Sequence, residues 1–117
     1  MSQGNSGAIE LQASQFELRS ERTDGEEHIR VSGELDLSVI GEVDREVRRA
    51  EATDAPSILL DLHELDFLDA SGVRLLLNAS ARSRANGSRL RITPPSTPQV
   101  KRVFELTGVG DILPLAA

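Results

Sequence analysis

The chain reads as a single α/β domain, with a mixed β-sheet of four to five strands and helices packed against it. Three observations carry that expectation. Strand-like apolar segments are interleaved with segments whose apolar residues recur every three or four positions, the pattern of strands joined by helical crossovers. An Asp24-Gly25 pair separates the first two strand-like segments, so one antiparallel hairpin is expected beside parallel strands. The length, 117 residues, suffices for one modest core and is too short for two.

The elements follow in order. Residues 1–13 begin small and polar, without a pattern, and a disordered tail is expected there. Phe16 and Leu18 alternate with polar neighbours in a strand over 16–22. After the Thr23-Asp24-Gly25 turn, Ile29 and Val31 mark its partner over 28–32. Past Asp36 the period changes. Leu37, Ile40, Val43, Val47 and Ala50 form one face of a helix running to about Ala52, with Asp36 as its N-cap. Pro56 punctuates, and Ser57 to Leu62 is a short, largely buried strand. A helix from Ser71 carries Val73, Leu76 and Leu77 inward and stops at Asn86-Gly87, a left-handed C-terminal signal. Leu90 and Ile92 mark a strand over 89–93, ended by Pro94-Pro95. Thr97 and Pro98 open the last helix, with Ser96 and Gln99 offering a competing capping box. Its inward residues are Val100, Val103, Phe104 and Thr107, and it stops at Gly108. Residues 112–115 are the candidate fifth strand.

Composition narrows the function. With no Trp, no Tyr and three Phe, the core must be built from Leu, Ile, Val and Ala. No cysteine is present, which excludes disulfides and thiolate metal sites. No apolar run reaches 18 residues and no signal-peptide pattern opens the chain, so a cytoplasmic protein without membrane insertion is expected. Thirteen basic against nineteen acidic residues give a net charge of −6, which argues against direct nucleic-acid binding. That balance suits a protein partner presenting arginine and lysine. His28 and His63 are isolated and lack metal-ligand spacing; neither a metal nor a cofactor is expected.

The most informative stretch is Leu65 to Val73, which places Ser71 where an extended segment ends and a helix begins. Helix N-termini offer unpaired N–H groups and a positive dipole end, favourable to a phosphate. On local sequence alone capping is the preferred role for Ser71. Asp69 is an alternative cap that frees Ser71 to face solvent. Phe67 and Leu68 are expected to bury at the base of the loop. Gly72 suits close approach of a partner or a sharp start to the helix. Arg74, one turn on, is a solvated residue, a partner contact or a support for a phosphoserine; Arg82, Arg84 and Arg89 read as ordinary surface charge.

Three segments together resemble STAS domains, in particular bacterial anti-sigma factor antagonists. Val31-Ser32-Gly33-Glu34-Leu35-Asp36 is similar to the family's GELD signature. Asp69-Ala70-Ser71-Gly72 is similar to its D-[ST]-[ST]-G element, whose second hydroxyl residue takes a phosphate. Val100 to Gly108 is similar to the late helix with its closing glycine. Order and spacing agree over roughly residues 14–117, so the resemblance implies a STAS domain there. Ala70 departs from the pattern by removing the neighbouring hydroxyl and leaves Ser71 as the acceptor.

The resemblance reverses the odds at Ser71. It implies that the unphosphorylated protein binds an ATP-binding anti-sigma factor serine kinase and so releases a sigma factor. Phosphorylation of Ser71 then ends binding, and a phosphatase acting on Ser71 resets it. The protein is a substrate in this scheme and carries no catalytic residue. In an α/β sheet the Asp36 and Asp69 loops can emerge at one end. Glu34, Asp36, Asp66 and Asp69 would then form an acidic rim around Ser71. The partner surface would comprise these four with Ser71, Gly72 and Arg74. A phosphate of charge about −1.5 to −2 would weaken docking by repulsion and desolvation. The alternative is a STAS accessory subunit of a stress-signalling complex or membrane transport system, a fused transporter being excluded by the solitary domain. An enzyme with Ser71 as nucleophile is disfavoured, because Asp69 stands where a nucleophile elbow needs glycine and no base is in evidence.

Overall fold

The computed structural model describes residues 16–116, so the expected tail at 1–13 lies outside the described residues. Asp24 (φ 52°) and Gly25 (φ 81°) both adopt positive φ, as a two-residue hairpin turn requires. They join β1 (Phe16–Thr23) to β2 (Glu26–Leu35) in antiparallel register, with Leu18 opposite Val31. β2 is longer than its alternation suggested and runs through Gly33, Glu34 and Leu35 of the GELD segment, ending before Asp36. Its residues Ile29 and Val31 are fully buried, while His28 and Arg30 project from the other face.

β3 (Ser57–Asp61) runs parallel to the first half of β2, and β5 (Leu90–Ile92) runs parallel to β3. A fifth strand, β4 (Leu65–Leu68), pairs parallel with the second half of β2. β3 and β4 thus follow one another along the same edge of β2, bridged where Gly33 N–H donates to Glu64 O at 3.2 Å. The sequence reading missed β4 because its outer residues are buried and its middle two exposed, which is no alternation. The cause is a bulge: the register shifts between Gly33 and Glu34, so Asp66 is skipped, and Gly33 takes φ 87°. The expected final strand at 112–115 shrinks to one parallel bridge between Ile92 and Leu115, after a 3₁₀ turn over Val109–Asp111. Ile92 N–H donates to Pro114 O at 2.9 Å and Ala116 N–H donates back to Ile92 O at 2.8 Å, the two bonds of that single bridge.

α1 (Ile40–Glu51) packs on β2 and β3, α2 (Ala70–Ala85) on β4 and β5, and the two helices touch; α3 (Pro98–Thr107) packs on β4. The inward spacing holds for Val43, Val47 and Ala50 of α1, for Val73 and Leu76 of α2, and for Val100 and Phe104 of α3, while Leu77 and Val103 are only partly buried. Thr107 is exposed and its hydroxyl donates to Val103 O. Gly87 (φ 99°) and Gly108 (φ 72°) close α2 and α3 in the expected left-handed manner.

Two N-termini differ from expectation. α1 starts at Ile40, not after Asp36, whose carboxylate instead accepts from Ser38 N–H (3.0 Å) and Ser38 Oγ (2.6 Å). This side-chain turn competes with the helix and leaves Leu37 75% exposed instead of in the core. At α3, Thr97 is the N-cap residue, but its hydroxyl donates to Leu65 O at 3.0 Å, tying the helix to β4. Ser96 pairs with His63 Nδ1 at 2.8 Å, so the competing capping box does not form.

Arg82 and Arg89 are not ordinary surface charge. Arg82 Nε bonds both oxygens of Glu51, joining α2 to α1. Arg89 donates to Glu51 O, Thr53 O and Ala55 O at 2.6, 3.1 and 2.6 Å, clamping the end of α1 and the following loop.

Candidate functional site

The ends of β2 and β4 lie side by side, because Leu35 and Leu68 are register partners and Asp69 N–H reaches Leu35 O at 3.4 Å. The loop leading to α1 and the corner leading to α2 therefore emerge together, as the sequence led us to expect. Both leucines are buried and turned toward the first turn of α2. A side chain at Gly72 would overlap Leu68 Cδ1 and come within 3.1 Å of Leu35 O. Glycine is needed here for close packing of the chain on itself, which seats the helix start directly on the strand ends. Leu68 is buried as expected, whereas Phe67 is 44% exposed, because β4 ends as a strand and points it to the other face.

Asp69 is the N-cap of α2. One oxygen, Oδ1, accepts from Gly72 N–H at 3.1 Å and from the Ser71 hydroxyl at 2.5 Å. Burial pushes the Asp69 carboxyl up, but the Ser71 hydroxyl and the backbone N–H groups of Gly72, Leu37 and Ser71 outweigh it. They hold it below its ordinary value of 3.8, so it is an anion at neutral pH. Ser71 is half-buried and does not cap the helix itself.

From Ser71 an open groove of about 580 Å³ runs between α1 and α2, lined among others by Leu37, Ile40, Asp44, Arg74 and Asn78. Leu37 stands at its mouth, which sequence reasoning missed by counting that leucine into the helix face; the Asp36-x-Ser38 turn pattern was the available signal. Asp44 is paired with Arg48 at 2.9 Å. A second groove, bounded by Arg48, Glu51, Arg82 and Arg89, lies at the far ends of the helices, where Arg82 and Arg89 are committed to Glu51 and to backbone carbonyls.

The acidic rim is only partly assembled. Asp69 touches Ser71, and Asp36 is in the adjoining loop, half-buried and engaged with Ser38. Glu34 is the register partner of Phe67, one residue before the inward Leu35, and so faces the opposite side of the sheet. Asp66 is exposed at the bulge, and Arg74 is exposed on α2 beside the groove.

A mixed five-stranded sheet, a capped serine corner at the strand ends and an open groove between two helices make up a small α/β domain. Comparison with known proteins gives it a family. Residues 18–114 match the family model described as "Mlab, STAS domain", and the chain belongs to the STAS domain family. It is 32% identical over 84 residues to the anti-sigma F factor antagonist of Lysinibacillus sphaericus, covering 70% of each chain. Among solved structures it is similar to the anti-sigma factor antagonist SpoIIAA in its unphosphorylated form (29% identity, TM-score 0.67, 87% of this chain and 88% of that one). It is also similar to the Bacillus cell fate determinant SpoIIAA in the phosphorylated form (29% identity, TM-score 0.61, 87% and 91%). Among the described residues no helix is long and apolar enough to cross a membrane.

Proposed function

We propose that this protein is an anti-sigma factor antagonist working by partner switching in the cytoplasm. Its unphosphorylated form binds an ATP-binding anti-sigma factor kinase, and the captured kinase releases its sigma factor. Phosphorylation of Ser71 by that kinase ends the complex, and a phosphatase restores it. The protein is substrate and ligand in this cycle and catalyses nothing itself. The observation that carries the reading is the division of labour at the corner. Asp69 caps α2, so the Ser71 hydroxyl is not required by the fold, yet it is held at the mouth of the groove. A phosphate there changes the surface and leaves the helix start intact.

Leu37, Asp36 and Asp69 form the centre of the proposed docking surface, with Ser71 between them and the groove, and Arg74 at its edge. Gly72 contributes by seating the corner and not by contact. Glu34 and Asp66 engage only a partner that wraps over the strand ends. The two-form relative, SpoIIAA, supports the switch.

The test is capture from native lysate with Ser71→Ala and Ser71→Asp as paired baits. Ser71→Ala should retain an ATP-binding anti-sigma factor that phosphorylates the wild-type protein and not the variant, while Ser71→Asp should lose it. Equal capture by both baits would overturn the switch. Recovery of transporter subunits or a large stress-sensing assembly would instead make the protein an accessory subunit.

A further inference from the structure

This inference rests on the reading of Ser71 as a phosphorylation site and concerns what the phosphate does next. In the unmodified protein Ser71 Oγ donates to Asp69 Oδ1, which also holds Gly72 N–H. Transfer of a γ-phosphoryl group from a nucleoside triphosphate forms the Oγ–P bond and breaks the P–O bond to the leaving nucleoside diphosphate. The hydroxyl proton is released to solvent. Ser71 then has no donor left for Asp69, and two anions two residues apart face each other at the helix start.

The groove, which Ser71 already lines, is the open direction. Its charged groups are Asp44, Arg48, Arg74 and Arg82. Asp44 occupies Arg48 at 2.9 Å and stands 3.6 Å from Arg82. Arg82 is also far, being three turns down the helix or roughly 16 Å from Ser71. Arg74 is three residues from Ser71, a neighbour on the same helical surface. It is exposed, and among the described residues it makes no ion pair or side-chain hydrogen bond.

We propose that phosphorylation swaps the Ser71 side chain from Asp69 to Arg74, so that the phosphate–Arg74 pair closes the mouth of the α1–α2 groove beside Leu37. Loss of binding is then in part occlusion of the groove, added to charge repulsion, and Arg74 is a positioning residue for the modified serine.

Phosphoserine installed at position 71 by codon suppression tests this without any kinase. The readout is the second phosphate ionisation followed by ³¹P NMR. A neighbouring cation favours the dianion, so Arg74→Gln should raise that pKa by about 0.15 to 0.4 unit. Arg74→Lys should restore the wild-type value, and Arg48→Gln should leave it unchanged. Asp69→Asn, which keeps an acceptor for the cap, should lower it by less than Arg74→Gln raises it. A wild-type titration for Arg74→Gln, or a larger shift from Asp69→Asn, would place the phosphate beside Asp69 and overturn the proposal. Because the phosphate is installed during translation, this result stands apart from partner capture: a phosphate held by Arg74 in a protein that captures no kinase would sink only the switching cycle.

Discussion

At the scale of single residues, the site depends on one carboxylate and one missing side chain. Asp69 and, on the other face of the sheet, Asp61 are both held below their ordinary value of 3.8. For Asp61, burial opposes ionisation, but His63 N–H, the His28 ring at 2.8 Å and Arg30 at 3.7 Å prevail. A carboxyl with a depressed folded pKa stabilises the fold fully above its unfolded value and loses that contribution as pH falls through the folded one. The stability advantage of wild type over Asp69→Asn should therefore be constant above about pH 5 and shrink below about pH 4. Urea titrations at several pH values measure it, and a constant difference down to pH 3 would show that Asp69 is unperturbed. Gly72→Ala makes the complementary point. Its methyl group would overlap Leu68 and crowd Leu35 O, so unfolding should become easier by about 1 to 3 kcal/mol. Thermal melting decides it, and an unchanged melting temperature would mean that the strand ends yield.

At the scale of elements, what was legible in the sequence was what a periodic pattern or a cap could announce. The Asp24-Gly25 hairpin, the inward faces of three helices and their glycine stops all follow from local rules. β4 was illegible because its place is set by Gly33 on another strand, where a positive φ shifts the register and skips Asp66. Arg89 was illegible for a similar reason: a guanidinium pattern in sequence does not reveal which carbonyls will converge on it. In the fold it holds three carbonyls from the end of α1 and the loop before β3. Arg89→Met keeps most of the apolar stem and strands those acceptors, so it should cost roughly 2 to 4 kcal/mol in chemical denaturation. Arg84→Met, on the exposed side of α2, should cost under about 0.5 kcal/mol. Equal effects of the two would reduce Arg89 to the surface charge it resembles in sequence.

At the scale of the whole molecule, the candidate site was legible as a position and not as a surface. Ser71 and Asp69 could be named because a strand-to-helix corner leaves its mark in a few adjacent residues. The surface around them depends on which way Glu34, Phe67 and Leu37 turn, and the bulge and the Asp36–Ser38 turn decide that. The consequence is that an apolar residue, and not a closed acidic ring, stands beside the serine. Leu37 is 75% exposed, so it adds little to the core and is free to be covered by a partner that enters the groove it lines. Interface energy concentrates in a few residues that become fully desolvated, and an exposed leucine at the mouth of a groove is suited to that. Leu37→Asp should then weaken binding of the captured partner by about ten- to a hundredfold, while the melting temperature stays within a degree or so. Leu106→Asp is the control: it is 74% exposed on α3 and lies outside the groove, so it should leave both quantities unchanged. Both variants would be compared in the Ser71→Ala background by titration calorimetry, which removes phosphorylation as a confounding cause. Loss of affinity in Leu106→Asp with Leu37→Asp unaffected would move the docking surface to α3 and separate it from Ser71 altogether.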